Sequence, residues 1–279
     1  MFKSSVASRL FGLFASKEFP SRVQVWINKF YIKLTKVDLS EHEPIESYES
    51  LNALFTRKLK VFRTFEDKED EFISPCDAFI SECGMIEEER ALQIKGHLYR
   101  VKELLGDFIT LENKEKIMSG KYINFYLSPK DYHRFHVPIE MKITKAIHIP
   151  GKLYPVNLKW LEKVSELFIQ NERVILECFT KSGVLFYMVF VGALNVGKIR
   201  FVFDELIHTN KKGSKASLYS YENLWLKKGE ELGFFEMGST IVMFFQKNSV
   251  QIECNTDQNI KFTDKIAKII HNSLDDFSF

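Results

Sequence analysis

The amino-acid sequence predicts an α+β fold, with amphipathic N-terminal helices on a mainly antiparallel β sandwich or barrel-like body. Helical periodicity runs through the first 36 residues, whereas short apolar runs separated by glycines dominate after Phe72. Several of these runs are apolar at consecutive positions, which indicates strands that are buried on both faces. The chain of 279 residues contains 26 phenylalanines, so its core is expected to be rich in aromatic side chains.

The N-terminal segment, residues 1–36, is predicted to form two helices divided by Pro20. Residues 1–40 contain seven basic and two acidic side chains, a net charge of +5. In the second helix the basic residues lie on one face, beside an apolar stripe with Trp26 at the boundary. This pattern fits either a helix on an anionic membrane or a surface helix packed on the protein's own core, and it leaves both open. The basic face comprises Arg22, Lys29, Lys33 and Lys36, and the apolar stripe comprises Val23, Ile27, Phe30 and Leu34.

The remaining elements follow from the same periodicities. Helices are expected over residues 46–59, 98–105 and 158–170, and an amphipathic stretch ends the chain at residues 263–274. The predicted strands are residues 122–127, 173–179, 184–194, 198–203, 240–246 and 250–254.

Several classes of protein are excluded by composition and pattern. The four cysteines form no CxxC pair and have no histidines at zinc-finger spacing, so free thiols in a reducing compartment are expected. Arg9 interrupts the first apolar stretch, which argues against a secretory signal. The longest uncharged apolar run, residues 183–194, has twelve residues and is too short to span a bilayer. No nucleic-acid partner is predicted.

Three polar clusters lie beside runs that should be buried. Asp77 ends the sequence Ser-Pro-Cys-Asp between two apolar pairs, where a carboxylate needs a partner. The alternative is an aspartate in a Ser-Pro turn. Asp131, His133 and His136 form a second cluster, which suits acid–base chemistry or a pair of hydrogen-bonded histidines. Metal binding is not expected, because the two histidines lack a third ligand at a recognisable spacing.

The third cluster is Gly238-Ser239-Thr240, at the start of an apolar run. It lacks the GxSxG pattern of an α/β-hydrolase, and a tight turn is the simpler interpretation. Together the clusters supply Asp, His and Ser in an order that also occurs in unrelated hydrolases. The residues thus predict a serine activated by histidine, without deciding whether Ser239 attacks a substrate or its own backbone.

These motifs together resemble the bacterial phosphatidylserine decarboxylases, a self-processing, pyruvoyl-dependent family. The resemblance covers about residues 37–245. The departures are Met237 in place of a usual Leu, Ala78 in place of a Gly, and Leu194 in place of a Thr. The matching blocks are FTRKL (55–59), SPCD (74–77), KGH (95–97), YLSPKDYHRFH (126–136), GKLYPVN (151–157), NERV (171–174), VGA (191–193), and KGEELG (228–233) leading into MGST (237–240).

The resemblance implies self-cleavage between Gly238 and Ser239. His136, oriented by Asp77, would deprotonate the Ser239 hydroxyl, which attacks the Gly238 carbonyl. The resulting ester eliminates to dehydroalanine, and hydrolysis leaves a covalent pyruvoyl group at residue 239. The products are a large fragment, 1–238, and a small fragment, 239–279, which stay together as a heterodimer. Further oligomerisation is left open.

The resemblance also implies the reaction. A Schiff base between the pyruvoyl group and phosphatidylserine accepts the electrons released as CO2 leaves, and phosphatidylethanolamine is formed. His133 would return the proton to the substrate carbon, and Asp131 would support His136. Residues 37–279 would be the catalytic domain, and residues 1–36 would bind the anionic membrane that holds the substrate. The expected location is peripheral, on the cytoplasmic face of the cell membrane.

Three alternatives remain beside this interpretation. A soluble pyruvoyl-dependent decarboxylase of free amino acids would not need the basic amphipathic segment. A non-catalytic lipid-binding relative would lack Ser239 or a histidine, and this chain has all three residues. A serine hydrolase would remain one polypeptide.

Overall fold

The largest element of the fold is an eight-stranded antiparallel sheet in the order β11-β7-β8-β9-β13-β5-β2-β15. Two three-stranded sheets, β1-β16-β14 and β10-β12-β6, and a hairpin, β3-β4, accompany it. This computed structural model describes residues 11–87, 90–94, 97–156, 160, 164, 166–193, 198–211, 213–236 and 239–270, with the backbone only for 90–94, 97, 98 and 239. The α+β prediction is confirmed. The described strands form open sheets that pack face to face, as in a sandwich.

The elements have the following bounds. The strands are β1 Glu71–Ile73, β2 Ala78–Met85, β3 Arg90–Ile94, β4 His97–Arg100, β5 Lys121–Leu127, β6 Arg134–His136, β7 Met141–Ile149, β8 Arg173–Thr180, β9 Leu185–Val191, β10 Ile199–Phe201, β11 Ser217–Leu226, β12 Glu231–Phe235, β13 Ser239–Phe245, β14 Val250–Ile252, β15 Gln258–Ile260 and β16 Lys265–Ile269. The helices are α1 Ser21–Thr35, α2 Leu51–Phe55, α3 Val101–Leu105, α4 Leu111–Ile117 and α5 Leu167–Gln170, with a 3-10 turn at Ile45–Ser47.

Two hydrophobic cores lie on opposite faces of the large sheet. Alternate residues of β9 and β13 point to opposite faces, as the pleat of a strand requires. Phe190 and Ile241 belong to the core shared with the three-stranded sheets. Val189 and Val242 belong to the core covered by α3, α4 and α5. This double burial explains why these strands are apolar at consecutive positions, as the sequence predicts.

Some predicted elements differ in the structure. The helix expected at residues 46–59 is reduced to a 3-10 turn and α2, because the Ser50 hydroxyl accepts the Ala53 N–H and starts a new helix. Of residues 98–105, the first three belong to β4, which pairs with β3, and α3 begins only at Val101. In the amphipathic stretch 263–274, residues 265–269 form β16 between β1 and β14, and residues 271–274 lie outside the described part. Strand pairing overrides the local pattern in both cases, within a hairpin for β4 and with the distant strand β1 for β16.

The N-terminal segment is helical on both sides of Pro20, over residues 11–15 and in α1, as predicted for the part that the structure describes. Its orientation is unusual, because α1 buries the polar residues Gln24 and Asn28. Gln24 donates to the Asn28 side chain, which donates in turn to the Tyr48 carbonyl at 3.0 Å. Trp26 is 68% exposed. Of the predicted apolar stripe, Ile27 is partly buried against the small core around Tyr48, whereas Val23, Phe30 and Leu34 are exposed.

The exposed face of α1 therefore combines apolar and basic side chains. Trp26, Phe30 and Leu34 are 68%, 59% and 71% exposed, with Val23 beside them. The four basic residues named above are exposed as well. Within the described part of the chain, the helices are too short or too polar to cross a bilayer.

Candidate active site

The loop after β5 and the following strand β6 carry most of the predicted site residues. Three cavities share walls formed by this segment, and we name them A, B and C. Cavity A, about 220 Å³, is lined by Ser128, Asp131 and Thr240 among others. Cavity B, about 420 Å³, is lined by Tyr132 and His136. Cavity C, about 260 Å³, is lined by Asp77, Asp131 and Tyr132. The structure thus brings Asp77, Asp131 and His136 into one neighbourhood.

His136 is the best-oriented base of this neighbourhood. Its Nδ1 lies 3.0 Å from the Gly229 carbonyl and its Nε2 lies 3.0 Å from the Tyr132 hydroxyl. A carbonyl oxygen can only accept, so Nδ1 carries the proton and Nε2 is the basic nitrogen that accepts from Tyr132. Burial lowers the pKa of His136 to about 4, and the ring is therefore neutral at pH 7. These contacts give His136 the tautomer that a general base at Nε2 requires.

Gly229 makes this contact in a backbone conformation that residues with a side chain rarely adopt. Its φ is +83°, and a Cβ atom there would lie 2.7 Å from the Phe65 ring. Glycine adopts this left-handed region without steric cost. The turn before β12 can therefore aim the Gly229 carbonyl at His136.

Asp77 does not hydrogen-bond to His136, contrary to the direct orientation that the sequence analysis expects. Its carboxylate forms a bidentate ion pair with the Arg63 guanidinium, with N–O distances of 2.5 and 2.9 Å. It also accepts a hydrogen bond from the Phe262 N–H at 2.8 Å. The Phe262 ring stacks on His136 with 3.8 Å between ring centres. Asp77 therefore reaches the imidazole through Phe262, and its negative charge also favours the protonated ring. Ala78 begins β2 outside the left-handed region, so the missing glycine does not disturb Asp77.

His133 lies in a different environment from His136, although only three residues separate them. It is fully buried and stacks on Phe55 with 3.9 Å between ring centres. Neither ring nitrogen has a hydrogen-bond partner among the described residues. Burial, with the nearby Arg57 charge, lowers the pKa of His133 well below its ordinary value. His133 is a neutral imidazole with unused hydrogen-bonding capacity, and it does not line cavities A, B or C.

Asp131 lies on the wall between cavities A and C. Its carboxylate accepts from the backbone N–H and the hydroxyl of Ser128, both at 2.7 Å. Burial raises the pKa of Asp131, while the hydrogen bonds from Ser128 oppose this shift. Asp131 therefore holds the loop after β5 in place, and it has no hydrogen bond to His136, whose two ring nitrogens are already partnered.

The backbone of Ser239 begins β13 and pairs in register with Leu127, the residue before Ser128. The next residue, Thr240, lines cavity A, and its buried hydroxyl has no partner among the described residues. Gly238 and Met237 lie outside the described residues, as does Leu194. The register nevertheless brings the start of β13 to the loop that carries Asp131.

Arg63, Tyr132, Gly229 and Phe262 contact the predicted site residues but are not predicted by the sequence analysis. Tyr132 and Gly229 lie inside matching blocks of the resemblance, which is the one signal that could have found them. Arg63 and Phe262 lie outside those blocks.

The comparisons with known proteins show the family of the chain. The sequence model of the family described as phosphatidylserine decarboxylase matches residues 51–268. The chain belongs to this family. A protein from Campylobacter jejuni named phosphatidylserine decarboxylase proenzyme is 49% identical over 269 residues, which cover 95% of this chain and 98% of that protein. A protein of the same name from Helicobacter pylori is 47% identical over 270 residues, covering 96% and 98%. A third, from Idiomarina loihiensis, is 39% identical over 252 residues, covering 88% and 85%.

The proenzyme names of the relatives refer to proteins made in an uncut form. The resemblance drawn from the motifs is thus confirmed over nearly the full length of the chain.

Proposed function

We infer that this chain is a phosphatidylserine decarboxylase made as a proenzyme, a carboxy-lyase that converts phosphatidylserine to phosphatidylethanolamine and CO2. Family membership over almost the whole chain supports this function. The single structural observation that carries it is the neutral His136, held by Gly229 and Tyr132 beside the loop that meets the start of β13. A base and a serine at a strand start are what self-cleavage requires.

Cleavage between Gly238 and Ser239 divides the chain into a large fragment, 1–238, and a small fragment, 239–279. In the described structure, strands of the small fragment pair with strands of the large fragment in two sheets. β13 lies between β5 and β9 in the centre of the large sheet, β15 pairs with β2, and β16 pairs with β1. Backbone hydrogen bonds and both hydrophobic cores therefore hold the two fragments together as a heterodimer.

The residues around the start of β13 fit a pyruvoyl group made from Ser239. The Thr240 hydroxyl and the Asn124 side-chain oxygen both line cavity A, and both are buried without a partner among the described residues. Such groups are costly unless something pairs with them, and a substrate headgroup supplies both donors and acceptors. The ketone of a pyruvoyl group accepts the electrons that decarboxylation releases. Lys130, at the exposed rim of cavity A, provides a cation for the headgroup phosphate.

We assign the remaining roles as follows, on the contacts that each residue makes and on the resemblance. His136 takes the proton of the Ser239 hydroxyl at Nε2. This step requires the hydrogen bond from the Tyr132 hydroxyl to Nε2 to break first. Asp77 and Phe262 position the imidazole, and Asp131 holds the loop after β5. The resemblance assigns the return of the proton at the substrate carbon to His133. The ring does not line cavity A, so this role is supported by the resemblance and by two ring nitrogens that have no partner among the described residues.

The chain acts as a peripheral membrane protein in this proposal. The support is the exposed face of α1, where Trp26, Phe30 and Leu34 lie beside four basic residues while the polar side of the helix is buried. Such a face suits the interface of an anionic bilayer. Its substrate is a lipid, so the active site has to work at that surface. A location on the cytoplasmic face of the cell membrane is part of the same proposal.

The function is tested by replacing the serine that would form the pyruvoyl group. Wild-type protein should separate on a denaturing gel into fragments 1–238 and 239–279, the smaller with a blocked N-terminus. Ser239→Ala should remain one chain and release no CO2 from phosphatidylserine. Ser249→Ala, a buried serine in the same fragment, is the matched control and should be cut normally. Active preparations that contain only the full-length chain would overturn the assignment.

A further inference from the structure

Two cysteines that take no part in the proposed chemistry meet at the edge of the fold. Cys83 lies in β2, and Cys254 follows β14. The Cys83 sulfur lies 3.7 Å from the Cys254 carbonyl oxygen and 3.7 Å from the Thr256 hydroxyl oxygen. The Cys83 N–H also donates to the Thr256 hydroxyl at 3.2 Å. These contacts hold the loop after β14 against β2.

The two thiols differ in reactivity. Hydrogen bonds from Cys254 and Thr256 lower the pKa of Cys83 to about 6, although partial burial opposes this shift. The interaction with Cys83, together with burial, raises the pKa of Cys254. Cys83 is half-buried, whereas Cys254 is 6% exposed. Cys83 is therefore the thiol expected to react first with an oxidant, and Cys254 lies next to it.

The other two cysteines have neither property. Cys76 and Cys178 are fully buried, and burial raises the pKa of both thiols. They are expected to stay reduced when Cys83 reacts, because reactivity follows the thiolate fraction and access.

We propose that Cys83 and Cys254 form a reversible disulfide under oxidising conditions, and that this bond joins the large and small fragments covalently. The joining of two fragments rests on the proposed cleavage, since Cys83 lies before Ser239 and Cys254 after it. The disulfide itself does not depend on that cleavage. Disulfides of this kind in reducing compartments are transient and respond to the redox state.

The chemistry is a pair of thiol–disulfide exchanges with a small disulfide such as oxidised glutathione. The Cys83 thiolate attacks one glutathione sulfur and forms a mixed disulfide, and the other glutathione leaves as a thiolate. This step removes the negative charge of Cys83, which is one cause of the high pKa of Cys254. Cys254 then loses its proton and attacks the Cys83 sulfur, releasing the second glutathione. Two protein thiols are oxidised, and one glutathione disulfide is reduced to two thiols.

The proposal is tested on purified protein equilibrated in glutathione buffers of increasing oxidising strength and then trapped with an alkylating agent. Peptide mapping by mass spectrometry should recover Cys83 linked to Cys254. On a non-reducing gel the small fragment should disappear and a band of full-chain size should appear, and dithiothreitol should reverse both changes. Cys83→Ser and Cys254→Ser should each abolish the link, with glutathione left on Cys83 in the second variant. Cys178→Ala is the matched control and should link as wild type does.

Two results separate the failure of this proposal from the failure of the proposed function. If Cys83 of the wild type carries only glutathione, or if both cysteines stay alkylated in the most oxidising buffer, the disulfide proposal is wrong. If the linked peptide is recovered from a chain that was never cut, the disulfide proposal stands and the proposed cleavage does not.

Discussion

Helix α1 and the central strands bury opposite kinds of residue. β9 is buried along its whole length, with apolar side chains in a core on each face of the sheet. α1 buries Gln24 and Asn28 and leaves Trp26 and Leu34, at 68% and 71%, exposed to solvent. Among the residues that the structure describes, neither core of the large sheet includes a residue of α1. The exposed apolar face of α1 is therefore free to contact the apolar part of a bilayer. Variants of α1 and variants of the central strands should fail in different assays.

The largest expected effect is in the body, at His136. His136→Ala should accumulate the uncut precursor and slow self-cleavage by about 10²–10⁴-fold, the usual contribution of a general base. The measurement is the rate at which a freshly refolded precursor is cut, followed by gel or intact mass. Asp77→Asn should slow cleavage less, because Asp77 reaches the imidazole through Phe262.

His133 provides the comparison inside the same strand and loop. His133→Asn should still be cut, at least in part, yet release no CO2 from phosphatidylserine. The reason is that His133 lies apart from the Gly229–His136–Tyr132 contacts but keeps two nitrogens without partners among the described residues. Equal loss of cleavage in the His133 and His136 variants would show that the two residues do not divide the work.

The next effect is expected in α1, at its exposed apolar face. The combined change Trp26→Ser, Phe30→Ser and Leu34→Ser should weaken vesicle binding at least tenfold, because each side chain contributes about 1.5–3 kcal/mol when fully buried. Self-cleavage should be unchanged. The matched control replaces Leu111 and Leu206, which are 74% and 68% exposed on the body, and should bind vesicles normally.

The three serine substitutions test the membrane role of α1 more specifically than deletion of residues 1–36 does. Deletion should reduce turnover on vesicles more than turnover of a short-chain soluble analogue, but it also removes the partner of Tyr48 and part of the small core beside it. If the triple Ser variant works on vesicles as well as wild type does, α1 has no membrane role.

A smaller effect is expected from the basic face of α1. Replacing Arg22, Lys29, Lys33 and Lys36 by Gln should remove the salt-dependent part of binding to anionic vesicles. Each such charge contributes about 1 kcal/mol near an anionic surface, and salt screens that attraction. Wild-type protein should lose this part on going to high salt and keep the apolar part. Binding that is equally salt-sensitive in both proteins would place the basic contact elsewhere.

The smallest expected effect concerns pH. Because burial lowers the pKa of His136 to about 4, its ring stays neutral at pH 5.5, where a free imidazole of pKa 6.5 is largely protonated. The cleavage rate of the folded precursor should thus change about twofold or less between pH 7.5 and 5.5. The same shift lowers the free energy of unfolding at acidic pH. The shift has no effect above pH 6.5, and the protein loses stability as the pH falls from 6.5 towards 4. A rate that falls tenfold with a midpoint near 6.5 would mean that His136 is not the base.

Much of the site could be predicted from sequence because it is local. Asp131, His133 and His136 lie within six residues, and the strands around them are long apolar runs. The partner of Asp77 could not be predicted, because Arg63 and Phe262 carry no motif and approach Asp77 from 14 and 185 residues away. The motifs therefore imply a direct contact between Asp77 and His136, whereas in the structure Asp77 pairs with Arg63 and reaches His136 through Phe262.

The sequence by itself determined the family, the order of the Asp, His and Ser clusters, and the double-sided burial of the central strands, since motifs and short-range periodicity carry that information. Only the tertiary structure decided which histidine nitrogen is basic, since the Gly229 carbonyl that sets it is 93 residues away in the chain. It also decided which side of α1 is exposed. A hydrophobic stripe on a helix is normally assigned to the core, and only the packing of Gln24 and Asn28 against the segment that contains Tyr48 reverses that assignment.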